Sequence, residues 1–107
     1  TDMKVIIKRP CDQFGEEATI PNTLKALQEA VGGYIETVTL PEHNLVLICN
    51  EEGKLRHLPF NFTKGLYPYS DTIVGDIVVV GVDGEEFCDC PLDFSTWKWL
   101  LKEWGNT

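Results

Sequence analysis

The chain has 107 residues, 43% apolar and 24% charged, the size and composition of one soluble globular domain covering 1–107. Seventeen acidic against nine basic residues give a net charge of −8. That argues against direct nucleic-acid binding, which needs Lys and Arg to displace counterions, and leaves an acidic surface that keeps the protein soluble or meets a basic partner. No apolar run approaches the roughly 18 residues of a membrane span, and no charged-then-apolar leader opens the chain. No membrane partner is expected, and the location expected is the cytoplasm. The only methionine is Met3, so the natural chain is expected to start there, with Thr1 and Asp2 left over from cloning.

Lys4 to Lys8 reads as a first strand, and its apolar run suggests a central position. Arg9-Pro10 ends it, because proline cannot donate to a ladder. Cys11 to Glu17 reads as a loop and Ala18 to Ile20 as a short pairing segment. Asn22 or Thr23 can cap a helix running to about Val31, with Leu24, Leu27 and Val31 as its apolar stripe. Gly32 and Gly33 are expected to end it with positive φ. The period then changes to two. Tyr34, Glu36, Val38 and Leu40 face one way along a strand, and Ile35, Thr37 and Thr39 the other.

Pro41 to Asn44 is a short polar link to a second apolar strand, Leu45 to Cys49, which suggests a hairpin. Asn50-Glu51-Glu52-Gly53 reads as a turn with positive φ at the glycine. Lys54 to Leu58 reads as a short strand or a helical turn. Pro59 to Ser70 is the most irregular stretch, with two prolines, one glycine and four aromatic residues. Thr72 to Val82 is the strongest strand, with a bulge or bend expected at Gly75-Asp76. Asp83-Gly84 is a two-residue hairpin turn leading back through Cys88. Pro91 breaks that strand, and Asp93 or Ser95 caps a last helix ending near Trp104. The expected class is α+β: a single mixed or antiparallel sheet (β-α-β-β, then a β-hairpin) with a C-terminal helix, and helices on one face.

Few residues here announce chemistry. The four cysteines, 11, 49, 88 and 90, read as free thiols, since nothing marks the chain for an oxidising compartment. Only Cys88 and Cys90 form a pair at metal-ligand spacing and no second pair exists, so no metal and no cofactor is expected. His43 near Cys49 does not make a catalytic pair by adjacency alone. Glu16-Glu17, Glu51-Glu52 and Glu85-Glu86 read mainly as solvated charge. The glycines between Val74 and Gly84 lie in strand context and do not match a phosphate-binding loop.

The aromatic residues say more. Phe94, Trp97, Leu101 and Trp104 make one stripe of the last helix, most simply a core contact. Trp99 falls opposite that stripe and is expected to be exposed, as interface aromatics are. Phe60, Phe62, Tyr67 and Tyr69 of the irregular stretch could line the same surface. Basic groups near them, Lys64 or Arg56 with His57, could hold an anionic ligand.

Three pieces carry a resemblance: Thr23-Leu24…Leu27-Gln28…Val31-Gly32-Gly33-Tyr34-Ile35-Glu36, Asn50 to Leu55, and Ile73 to Gly81. In that order they resemble a domain-of-unknown-function family of small proteins encoded by phages, plasmids and integrated elements, often near antirestriction genes. The resemblance spans about Lys4 to Val82 and leaves out the Cys-Asp-Cys segment and the tryptophan-rich end. It implies a bacterial cytoplasm and no catalytic residues to carry over. The expected function is a non-enzymatic binding protein in counter-defence, inhibiting a host protein or sequestering a small nucleotide signal. Sequestration would favour a homo-oligomer. The alternatives are an accessory structural protein of the phage or plasmid, and a small enzyme acting through Cys49 or the acidic pairs.

Overall fold

The two most apolar strands form the middle of the molecule. A computed structural model, describing residues 1–106, gives the order β1 (Asp2–Lys8), β2 (Glu16–Pro21), α1 (Leu24–Val31), β3 (Ile35–Leu40), β4 (Leu45–Asn50), β5 (Phe60–Lys64), β6 (Asp71–Val74), β7 (Ile77–Asp83), β8 (Glu86–Cys88) and α2 (Phe94–Glu103). The main sheet runs β2-β1-β7-β4-β3, with β8 also on β7. All its pairs are antiparallel. The α+β class and the C-terminal helix are as expected from the sequence.

Every residue of β4, and Ile77 to Gly81 of β7, is buried. That follows from a sheet covered on both sides, where strands need apolar residues at odd and even positions alike. On one face Leu45, Leu47, Cys49, Ile77 and Val79 pack with Phe62, Trp97, Leu100 and Leu101. On the other, Val46, Ile48, Val78 and Val80 pack with Leu27 and Val31. The helices therefore lie on opposite faces, not on one as expected. A stripe of two buried residues is all that α1 needs. Leu24, placed in that stripe by its spacing, is 58% exposed.

Thr23 caps α1 through its side chain, and Gly32, at φ 77°, ends it in the left-handed region. Gly33 is not left-handed, and in the 51–58 turn the positive φ falls on His57 rather than Gly53. Asp93 caps α2 by accepting from the Thr96 N–H.

A second, two-stranded sheet departs from the expected single one. β5 pairs with β6 alone, so five residues of the stretch read as irregular form a strand. The expected long strand from Thr72 to Val82 is divided at Gly75, whose φ is 73°. Glycine reaches that conformation without the cost a side chain imposes. The chain leaves the ribbon there and enters the main sheet as β7. The last hairpin turns on Gly84-Glu85, since Asp83 already pairs with Glu86.

Candidate functional site: a groove holding both arginines

Two adjacent pairs of residues build the site, one at the end of β1 and one where the β5–β6 register shifts between Phe60 and Phe62. At the end of β1, Lys8 is buried and Arg9 is exposed; at the start of β5, Asn61 is buried and Phe60 is exposed. The inward pair forms a clamp. The Lys8 Nζ donates to the Asn61 Oδ1 at 2.6 Å, the Asp12 carbonyl at 2.8 Å and the Asn61 carbonyl at 3.3 Å. The Asn61 Nδ2 donates to the Lys8 carbonyl at 2.8 Å and the Gly75 carbonyl at 2.7 Å. The ammonium also lies 5.6 Å from the centre of the Phe62 ring. Burial lowers the Lys8 pKa, and nearby Asp12 and Cys11 only partly oppose that. The clamp fastens the ribbon to β1 and uses all three donors of the lysine.

The outward pair faces a groove of about 700 Å³. Arg9 and Pro10 form one side, Leu58, Pro59 and Phe60 another, and Arg56 reaches in from the 51–58 turn. Val31 and Gly32 at the end of α1, with Asn50 and Asp76, complete it. Arg9 and Arg56 are the only arginines in the chain, and both line this one groove. Arg9 makes one long contact, 3.5 Å to Glu16 between exposed side chains, of a kind worth little. Arg56 has no ion pair among the described residues. Phe60 is 56% exposed, so an exposed aromatic ring shares the groove with the two arginines. Asn50 is fixed: its Nδ2 donates to the Val31 carbonyl at 3.1 Å and its Oδ1 accepts from the Glu52 N–H at 2.8 Å. The carbonyl end of α1 carries partial negative charge. Attraction for an anion therefore comes from the arginines.

The residues singled out in the sequence divide among several places. Arg56 and Phe60 line the groove; His57, next to Arg56, does not. Phe62 is wholly buried, which corrects its reading as a surface residue. Its ring stacks on Trp104 with centres 6.2 Å apart and meets Trp97 edge-on at 5.8 Å. Tyr67 and Tyr69, 91% and 89% exposed, sit between β5 and β6, with Lys64 at the end of β5. None of these three lines the groove. Trp99 is exposed on α2 as its position predicted, and it too lies outside the groove.

Sequence reasoning missed Arg9, Asn50 and Asp76. In the sequence Arg9 stands out only as the end of a strand. One signal was available, namely that a chain with seven lysines has just two arginines.

All four cysteines are free thiols. Cys49 is buried, with its Sγ 3.6 Å from the Glu36 carbonyl. Burial and the Glu36 charge push its pKa up to about 11. A nucleophilic thiol needs a shift in the other direction. Among the described residues, no three His, Cys, Asp or Glu side chains are grouped to hold a metal. No described helix is long and apolar enough to cross a membrane.

The fold and groove thus describe a small α+β protein with a preformed, arginine-lined cleft and a protonated core thiol. The chain belongs to the family described as Domain of unknown function (DUF3846), whose model matches residues 3–101. That match takes in Cys88, Cys90, Trp97 and Trp99, which the resemblance seen in the sequence left out. Comparison with curated proteins and with solved structures gives no match.

Proposed function

We propose that this is a non-enzymatic binding protein whose groove takes a small anionic ligand carrying a flat ring, of the nucleotide class. The observation that carries this reading is the placement of both arginines and the exposed Phe60 around one groove. Guanidinium groups bind phosphate by paired, charge-assisted hydrogen bonds. An aromatic face beside them offers a stacking surface for a base. Asp76 adds a polar group that suits sugar hydroxyls or a base edge. The groove is within the size range of small-molecule sites. Binding is favoured over thiol chemistry because burial raises the Cys49 pKa, the direction opposite to that of an activated thiol.

In the phage or plasmid setting that the resemblance implies, such a protein would act in counter-defence by sequestering a nucleotide signal. A host protein held through Trp99, 58% exposed, is the second reading.

Native mass spectrometry of protein purified from bacteria, then titrated with mono-, di- and cyclic nucleotides, tests the first reading. A nucleotide-sized adduct is expected. Arg56→Ala should weaken it about tenfold or more, the weight of one charge-assisted contact. Protein that takes up no nucleotide at millimolar concentration overturns nucleotide binding and turns attention to Trp99.

A further inference from the structure

The main sheet ends in two edge strands, β2 and β3, built very differently. We infer that β3 is the seam of a homodimer, formed by antiparallel pairing with β3 of a second copy.

The outward-facing backbone groups follow from ladder parity. The Glu51 N–H donates to the Tyr34 carbonyl at 2.9 Å, and these two residues extend the β3–β4 register of Ile35 opposite Asn50. In an antiparallel ladder, hydrogen-bonded positions alternate. Tyr34, Glu36, Val38 and Leu40 therefore bond to β4, while the N–H and C=O groups of Ile35, Thr37 and Thr39 point away from the sheet. On the other edge, the Asn22 N–H donates to the Thr1 carbonyl at 2.9 Å, in register with Asp2 opposite Pro21. By the same parity the outward positions of β2 are Glu17, Thr19 and Pro21.

These two edges invite different outcomes. β2 ends in a proline with no N–H to give and carries Glu16 and Glu17, the usual means of blocking edge-to-edge association. β3, Ile-Glu-Thr-Val-Thr-Leu, has no proline, no lysine and a single charge. Its β-branched residues suit a strand, and Thr37 and Thr39 are exposed.

A second copy fits this edge on both hydrogen bonding and charge. A two-fold axis at Thr37 sets Thr37 opposite its own copy and Ile35 opposite Thr39, each pair exchanging both bonds. Glu36 then stands across from Val38, so the single acidic side chain of β3 does not meet itself. Opposing this, two chains of net charge −8 repel. Added salt screens that repulsion, since the Debye length falls from roughly 10 Å at 0.1 M to 3 Å at 1 M. Dimerisation should therefore strengthen with salt. A single short strand is a small interface, so micromolar dissociation is the expected order.

The test is sedimentation velocity of the full chain from about 1 to 300 µM, at low and high sodium chloride, a range spanning weak association. A rise toward twice the monomer mass, larger in high salt, is expected. Hydrogen exchange at the Ile35, Thr37 and Thr39 amides should slow as concentration rises, and at Glu17 and Thr19 it should not change. Thr37→Pro removes an outward N–H without touching the ladder to β4, and should leave a monomer. If that variant unfolds, Thr37→Lys decides, because it sets two ammonium groups opposite each other on the two-fold. Wild-type protein monomeric throughout overturns the inference, as does a dimer that survives a folded Thr37→Pro or Thr37→Lys. Ligand binding in the groove, whose lining comes from one chain, is measured on its own.

Discussion

Lys8 and Arg9 are neighbours in sequence, and their charges are used in opposite ways. Lys8 is 2% exposed, with every donor engaged inside the protein. Arg9 faces solvent in a groove, held by one long surface contact. Asn61 and Phe60 repeat the contrast on the ribbon. One residue of each neighbouring pair ties the two sheets together, and the other is left free beside the groove. A cation that is satisfied internally stabilises structure and has nothing left to offer a ligand. A cation held by no more than an exposed surface contact in an acidic protein is available for binding. This difference, rather than the presence of positive charge, marks the site.

The largest effect should come from breaking the clamp. Asn61→Leu removes the shortest of the three contacts of the Lys8 ammonium, leaving it the Asp12 and Asn61 carbonyls, and removes the buried donor to the Lys8 and Gly75 carbonyls. A loss of about 4 kcal/mol is expected in urea unfolding, the sum of several unsatisfied groups. Adding Lys8→Met should recover part of it, because the stranded charge goes too; a strictly additive double mutant would show that the two residues do not act as a unit.

Next in size is Gly75→Ala. The new methyl would approach the Leu58 Cδ1 to 2.9 Å at a φ of 73°. A cost of about 1–2 kcal/mol is expected from strain and crowding, read by thermal and urea unfolding. Because Leu58 lines the groove, ligand affinity should fall as well.

The clamp also has a pH signature. The Lys8 pKa lies below its ordinary 10.5 in the folded protein, so protonation is easier in the unfolded chain. As pH rises from the lowered value toward 10.5, the unfolded chain binds more protons and this residue's contribution to stability increases. Cys49 acts oppositely between its ordinary 9.0 and about 11: there the folded state holds the extra proton, and stability falls as pH rises. Stability curves of Lys8→Met and Cys49→Ala should therefore diverge from wild type in opposite directions above pH 9. Parallel curves would mean neither group is perturbed as described.

Much of the fold could be read from local patterns. Period-two alternation marked β3, unbroken apolar runs marked β4 and β7, and capping residues marked both helices. These signals act within a few residues of one another. The ribbon was hidden because Pro59, Gly65 and Pro68 flank a strand of only five residues, and local propensity reads such a stretch as loop. The opposite placement of the helices was implicit in β4, whose five apolar residues in a row require cover on both sides. The groove was harder to see, since Arg9, Asn50, Arg56 and Asp76 come from four separate segments. No local rule brings them together; tertiary pairing of β1, β4 and β7 does. Phe62 was misplaced for a related reason, as its burial depends on α2 and its tryptophans rather than on its own neighbours.

The smallest stability effect should belong to the groove, and it separates the two regions most sharply. Arg56 is exposed and has no ion pair among the described residues, so Arg56→Ala should change stability by no more than about 0.5 kcal/mol. Arg9→Ala gives up only the exposed contact to Glu16 and should be as mild. Phe60→Ala removes a ring already 56% exposed and should cost under about 1 kcal/mol, far less than truncating a buried aromatic. All three should nevertheless weaken a bound nucleotide, the arginines at every phosphate-bearing ligand and Phe60 most where a base is present. Inorganic phosphate makes the distinction: its binding should fall with Arg9→Ala and Arg56→Ala and be indifferent to Phe60→Ala. If instead the arginine variants unfold as readily as Asn61→Leu, both outward cations are structural. The contrast between Lys8 and Arg9 would then fail, and the groove would be left without charge to spare for a ligand.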